Sequence, residues 1–166
     1  EELLLVRDGM LAADVGGYVH VCHVSTKGSV DYIRRMKAAG IHVTAETCPQ
    51  YFTLTEEEIE KQGAMAKVNP PLRTRADVEA ILEGLEDGTL DCIITDHAPH
   101  TVEEKARELP KAPSGMVGLE TSLALSLTVL HHQLGWPLMK VLRAMSTAPA
   151  GILQLDAGSL RVGAPA

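Results

Sequence analysis

Two short stretches carry metal-capable side chains at the ends of apolar runs. In the first, His20-Val-Cys-His23-Val-Ser-Thr, the alternating segment Tyr18–Val24 leads into His23. A neutral imidazole at a strand end is a good ligand for a zinc-type ion. The same position also suits a core histidine bonded to a backbone carbonyl. Period-two alternation puts His23 on the face of Val19 and Val21, and sends His20 and Cys22 to the opposite face as packing residues. In the second stretch, Thr95-Asp-His-Ala-Pro-His100-Thr, the apolar run Leu90–Thr95 leads into an acid. Asp96 shares the face of Cys92 and Ile94. A carboxylate there can ligate a metal and carry a proton, or simply cap the loop. His97 and His100 so close by favour the ligand chemistry: His100 can reach a ligand, and His97 suits a supporting role.

Two further clusters are weaker alone. Lys67-Val-Asn69-Pro-Pro-Leu-Arg73 holds an amide that both donates and accepts, with a double proline fixing the loop behind it. Ala112-Pro-Ser114-Gly115-Met-Val-Gly118 has two glycines that let backbone groups approach a ligand. No GxSxG, GxGxxG or P-loop pattern is present, and no CxxC spacing.

The elements that must position these groups follow from periodicity and punctuation. Helices are expected over Glu1–Val15, Ser25–Ala39 (Gly40 as its stop), a short acidic turn after Thr55, Ala76–Glu86, Gly118–Gln133, Leu138–Met145 and Ala148–Leu155. Strands are expected over Tyr18–Val24, Ile41–Glu46 and Leu90–Thr95, with Lys67–Asn69 as a further strand end. Asp96–Gly115 is a long polar loop, and loops of that length in compact domains are usually functional or disordered. Strand and helix alternate, the α/β pattern with parallel strands. A (β/α)8 barrel needs roughly 200 to 250 residues, so about four strands here make about half a barrel, or an open sheet.

The 166 residues are 45% apolar and 22% charged, the composition of a globular domain with a real core. A net charge of −7 argues against a nucleic-acid surface, and no apolar run nears the ~20 residues that span a bilayer. The opening Glu-Glu-Leu-Leu-Leu-Val-Arg-Asp lacks the basic start of a signal peptide. Cys22, Cys48 and Cys92 form no disulfide framework, which fits a reducing cytoplasm. With no initiator methionine, an opening that already has the character of later helical turns, and a close at Gly163-Ala-Pro-Ala, the chain is expected to be a piece of a longer protein.

In combination the clusters resemble the C-terminal half of the dihydroorotases, among the cyclic amidohydrolases of the amidohydrolase superfamily. The matching stretches are HVCHVST (20–26), ETCPQYFTLTEE (46–57), KVNPPLRT (67–74), DGTLDCIITDHAPHTVEEK (87–105), KAPSGMVGLETSL (111–123) and AGSLRVGAPA (157–166). They stand in family order and cover nearly the whole chain. Hydantoinases resemble ETCPQY but usually differ at KVNPPLR and TDHAPHT.

The resemblance implies the C-terminal portion of a (β/α)8 TIM barrel over 1–166, with 156–166 as the start of a C-terminal tail. It implies His23 and Asp96 as metal ligands, Asp96 also as general base and acid. Asn69, His100 and the Ser114–Gly115 backbone become substrate contacts. The family often has an aromatic residue where Ser114 stands. One or two zinc ions per full-length subunit are implied, with the remaining ligands lying before Glu1, so the piece alone is expected to be inactive. The implied reaction is the reversible cyclisation of N-carbamoyl-L-aspartate to dihydroorotate in pyrimidine biosynthesis. The alternatives are a hydantoinase or allantoinase, or an inactive scaffold subunit for a carbamoyltransferase. The partners implied are a small-molecule substrate, a second subunit in a homodimer and an aspartate carbamoyltransferase, with no nucleic acid and no membrane.

Overall fold

The computed structural model describes residues 1–165. Helix α1 (Glu2–Val15) stops at Gly16, whose left-handed backbone (φ 65°) reverses the chain into strand β1 (Tyr18–Val21). Helix α2 (Lys27–Ala38) starts at Thr26, whose hydroxyl accepts from the Ser29 amide at 3.1 Å. Strand β2 (His42–Thr47) runs into the short helices α3 (Pro49–Thr53) and α4 (Glu58–Gln62) and a 3-10 turn at Gly63–Ala66. Helix α5 (Arg75–Asp87) opens with a reciprocal capping box between Thr74 and Asp77. Strand β3 (Cys92–Ile93) and helix α6 (Val102–Lys105) follow. The C-terminal layer is α7 (Ser122–Ser126), which widens into π-helical turns over Leu127–Gln133, then α8 (Leu138–Leu142), π-helical turns over Arg143–Thr147, and α9 (Ala148–Ile152).

The three strands are parallel and lie in chain order, β1-β2-β3. Tyr18 pairs with His42 through to Val21 with Ala45, and Glu46 pairs with Cys92. Strands in chain order, each followed by helix, make a consecutive stretch of a (β/α) barrel wall. One sheet face is apolar. Val43, Ala45 and Ile93 pack with Val30, Ile33 and Met36 of α2 and Ile81 and Leu85 of α5, with Val19 and Val21 at the margin. Alternation therefore turns Tyr18, His20, Thr44, Glu46 and Cys92 to the other face, the barrel interior.

Four expectations are corrected. The sheet has three strands among the described residues, not four. Lys67–Asn69 is a loop because its backbone is committed elsewhere: Lys67 N–H donates to Ala64 O (3.1 Å), and Lys67 O accepts from Gly115 N (2.9 Å). Strand β1 ends at Val21, and β3 is only Cys92–Ile93. The helix expected from Gly118 begins at Ser122, since Gly118 is held by His97 instead.

The expected polar loop after Asp96 is not structureless. Its Thr101–Glu104 capping box builds α6, and His97 bridges to Met116. Past α9, Gly158 O accepts from Thr147 Oγ1 at 2.8 Å, and Leu160 and Val162 lie fully exposed. Ala166, the last residue of the tail expected over 156–166, lies outside the described residues. No helix is long and apolar enough to cross a membrane among the described residues.

Candidate active site

His23 and Asp96 each follow a strand end, and both have left-handed backbone, at φ 57° and φ 48°. For residues other than glycine this costs on the order of 1–3 kcal/mol, and such strain concentrates at functional sites. Gln154 is the one other non-glycine residue with positive φ among the described residues. The turn at His23 has a direct consequence. It interrupts the alternation of β1 and swings the imidazole away from the face of Val19 and Val21 to the interior side. There His23 Nε2 lies 3.4 Å from Asp96 Oδ1.

The face assignment made from alternation is thus corrected. His20 and Cys22 are not on the packing face opposite a catalytic His23; all three serve one interior cluster. Its centre is Glu46, 8% exposed. Glu46 Oε1 is 3.1 Å from His23 Nδ1, and Oε2 is 3.1 Å from His20 Nε2. His20 Nδ1 lies 2.7 Å from Thr44 Oγ1, which in turn contacts the Tyr18 hydroxyl. A polar chain therefore descends the sheet interior from Asp96 at the rim through His23, Glu46, His20 and Thr44 to Tyr18. Glu46 was not singled out in the sequence. Its signal was its place two residues after Thr44, which alternation puts on the same face.

Electrostatics follow the geometry. The Glu46 carboxylate holds the His23 imidazole above its ordinary range, outweighing partial burial, and Asp96 adds to the effect. Burial pushes Glu46 upward, but hydrogen bonds from His23 and His20 outweigh it and leave the carboxylate below its usual range. Burial raises the thiols of Cys48 and Cys92, the latter to about 12, so neither is a nucleophile near neutral pH.

The donors suit a zinc-type ion. His20, Cys22 and Glu46 offer ligand atoms within 4.8 Å of one another, and His23 and Asp96 add an imidazole nitrogen and a carboxylate at the rim. Imidazole, carboxylate and thiolate are the ligand set of such an ion. This group shares Glu46 with the His23–Asp96 pair expected from the sequence. At the rim itself the two expected ligands do meet.

The loops above the strands bring the remaining candidates together in part. His100 Nε2 donates to Ser114 O at 3.1 Å, and His100 Nδ1 is 3.6 Å from Glu104. Gly115 is buried with φ 149°, and a Cβ there would come within 2.5 Å of Ala98 O, so only glycine lets these strands of chain approach. Since the Gly115 amide donates to Lys67 O, the Ser114 amide and the Gly115 carbonyl are the backbone groups of that pair left for a ligand. Asn69 is exposed at the tip of the neighbouring loop. His97 Nδ1 accepts from the amides of Gly118 (3.0 Å) and Leu119 (3.3 Å), which puts the proton of its neutral ring on Nε2 and makes it a loop clamp. Arg73, the arginine of the Asn69 loop, is engaged by Ser25 Oγ (3.2 Å) and Glu1 (3.6 Å).

The chain is similar to known proteins. A dihydroorotase of Endomicrobium trichonymphae is 51% identical over 164 residues, 98% of this chain and 39% of that protein. A dihydroorotase of Clostridioides difficile (strain 630) is 48% identical over 166 residues, 100% of this chain and 39% of that protein. Among solved structures, the L-hydantoinase (dihydropyrimidinase) of Arthrobacter aurescens superposes with a TM-score of 0.91 at 31% identity, over 99% of this chain and 38% of that one. A D-hydantoinase crystal structure superposes with a TM-score of 0.92 at 25% identity, over the same shares of the two chains. The chain thus spans 39% of the length of the two dihydroorotases. Residues 9–166 match the model of the amidohydrolase family, and with parallel strands followed by His23 and Asp96, the chain belongs to that family.

Proposed function

We propose that the full-length protein is a dihydroorotase, interconverting N-carbamoyl-L-aspartate and dihydroorotate with loss or gain of water. The observation that carries this is the convergence of His23 Nε2 and Asp96 Oδ1, 3.4 Å apart, at the ends of two strands of one parallel sheet. The relatives at 48–51% identity are dihydroorotases, whereas the superposing hydantoinases share 25–31%. His23 and Asp96 would hold the ion, with Glu46 orienting His23 through its Nδ1. When bound, a zinc-type ion supplies Lewis-acid activation of the ring carbonyl and of water.

The chain's own residues do the rest. In hydrolysis Asp96 takes the proton of the attacking water and returns it to the departing ring nitrogen; in synthesis the same carboxylate works in reverse. Asn69 and His100 bind the substrate carboxylate and ring amide, and the Ser114–Gly115 backbone supplies a further contact. The Arg73 guanidinium is engaged by Ser25 and Glu1 and is not a substrate partner in this reading. Zinc as the metal, a cytoplasmic location, a homodimer and docking of an aspartate carbamoyltransferase belong to the same reading. Metal analysis, fractionation, light scattering and co-purification test them.

The deciding experiment is turnover of dihydroorotate against hydantoin and allantoin by the full-length protein, with Asp96→Asn alongside. Preference for dihydroorotate, and a loss of about 10²- to 10⁴-fold in the variant, support the assignment. Preference for hydantoin or allantoin assigns the protein to those enzymes, and no turnover of any substrate by the metal-loaded protein makes it a scaffold.

A further inference from the structure

Lys105 ends α6 only 6% exposed, yet its ammonium is not paired with a carboxylate among the described residues. It donates instead to three backbone carbonyls: Ala64 O at 3.0 Å, Lys67 O at 3.0 Å and Pro113 O at 3.1 Å. All three N–H donors of the ammonium are matched in this way. A buried cation is tolerated when such dipoles replace its hydration.

The acceptors come from two separate loops. Ala64 and Lys67 lead into Asn69, and Pro113 immediately precedes Ser114 and Gly115. Lys67 O accepts a second bond, from the Gly115 amide at 2.9 Å. Lys67 reinforces the link from the other side, with Nζ donating to Leu109 O (2.8 Å) and Ala112 O (2.6 Å). Lys105 itself lies five residues after His100, so all three candidate substrate segments meet at one ammonium.

We propose that Lys105 is a positioning residue that holds the Asn69 loop and the Ser114–Gly115 loop at one fixed separation, so that a substrate meets both at once. The role rests on the substrate function proposed for those loops. The Lys105 ammonium donates to backbone carbonyls, so it acts through the backbone. A methionine of similar length would leave three carbonyls facing each other without a donor, and an arginine's planar fork does not match three convergent carbonyls.

The test uses the full-length protein with Lys105→Met, read by hydrogen exchange in the absence of substrate and by steady-state kinetics on dihydroorotate. Amides of Lys67 and Gly115 are expected to exchange faster, while those of α2 keep their protection. KM is expected to rise by about 10-fold or more with kcat within a few-fold, the signature of lost binding geometry, and metal content is expected to stay unchanged. Unaltered exchange at Lys67 and Gly115, or an unaltered KM beside faster exchange, overturns the proposal. If Lys105→Met does not fold, Lys105→Gln, which keeps two donors, replaces it. A global fall in protection in that variant too means that Lys105 serves the whole fold, which also overturns it. Asn69→Ala separates this from the underlying reading: an unchanged KM there removes the loop's substrate role, while the exchange measurement still decides what Lys105 does.

Discussion

Glu46 Oε1 stands 3.1 Å from His23 Nδ1, and the opposite ring nitrogen of His23 faces Asp96. This is the arrangement in which a carboxylate fixes an imidazole's tautomer and leaves the other nitrogen free for a metal. Because Glu46 also bonds His20 through its second oxygen, its orientation is set from both sides.

Replacing Glu46 by Gln in the full-length protein removes the charge and one of the two acceptors. Metal affinity is expected to fall about 10- to 100-fold, the usual cost of losing such a supporting group. Metal titration checks this; an unchanged affinity removes Glu46 from the site.

His20 and His23 share Glu46 but differ in reach. His23→Ala is expected to cost metal content and activity together. His20→Ala is expected to keep the metal and lower stability by about 1.5–3 kcal/mol, because a hydrogen bond to a buried carboxylate is lost. Metal analysis and denaturant unfolding of both proteins separate the two roles. An emptied site in His20→Ala would mean that the group of His20, Cys22 and Glu46 holds the ion.

Asp77 ties α5 to α2: it accepts from the Lys27 amide at 2.8 Å and completes the capping box with Thr74. Burial pushes its carboxyl upward, but hydrogen bonds from Lys27 and Thr74 prevail and leave it below the ordinary aspartate range. A lowered folded value means that Asp77 contributes stability above its unfolded pKa and loses it as pH falls through the folded one. Asp77→Asn should therefore be less stable by about 1 kcal/mol near neutrality. The gap should close in acid, and melting temperatures of both proteins from pH 7 to pH 3 report it. A gap independent of pH would show that the charge is not involved.

Residues 1–166 expressed alone are expected to associate. Among the described residues β1 has a partner only on its β2 side, and α1 exposes Leu3, Leu4, Met10, Leu11 and Val15. Open strand edges and large apolar patches drive association. Light scattering across a concentration series checks this; a monomer with a sharp, concentration-independent melt contradicts it.

Much of the site was legible in the residues because the signals are local. An apolar run that leads into an acid marks a strand end, and Gly40 marks a helix stop. From these came the parallel α/β order and the placement of His23 and Asp96 at strand ends. What failed was whatever depends on a contact across the fold. Period-two counting separated His20 from His23, but one left-handed residue resets the alternation, and no glycine announced it at His23. The side of the sheet that faces the interior was decided by where α2 and α5 pack, so the pairing of Glu46 with both histidines needed the β1–β2 register. Lys67–Asn69 reads as a strand end before Pro70-Pro71; it is a loop because Gly115 and Lys105, distant in the chain, claim its backbone. Residue types and their order were written in the sequence. Which groups satisfy one another's hydrogen bonds was decided by the tertiary structure, since a buried donor takes the acceptor that folding brings to it, at whatever distance along the chain.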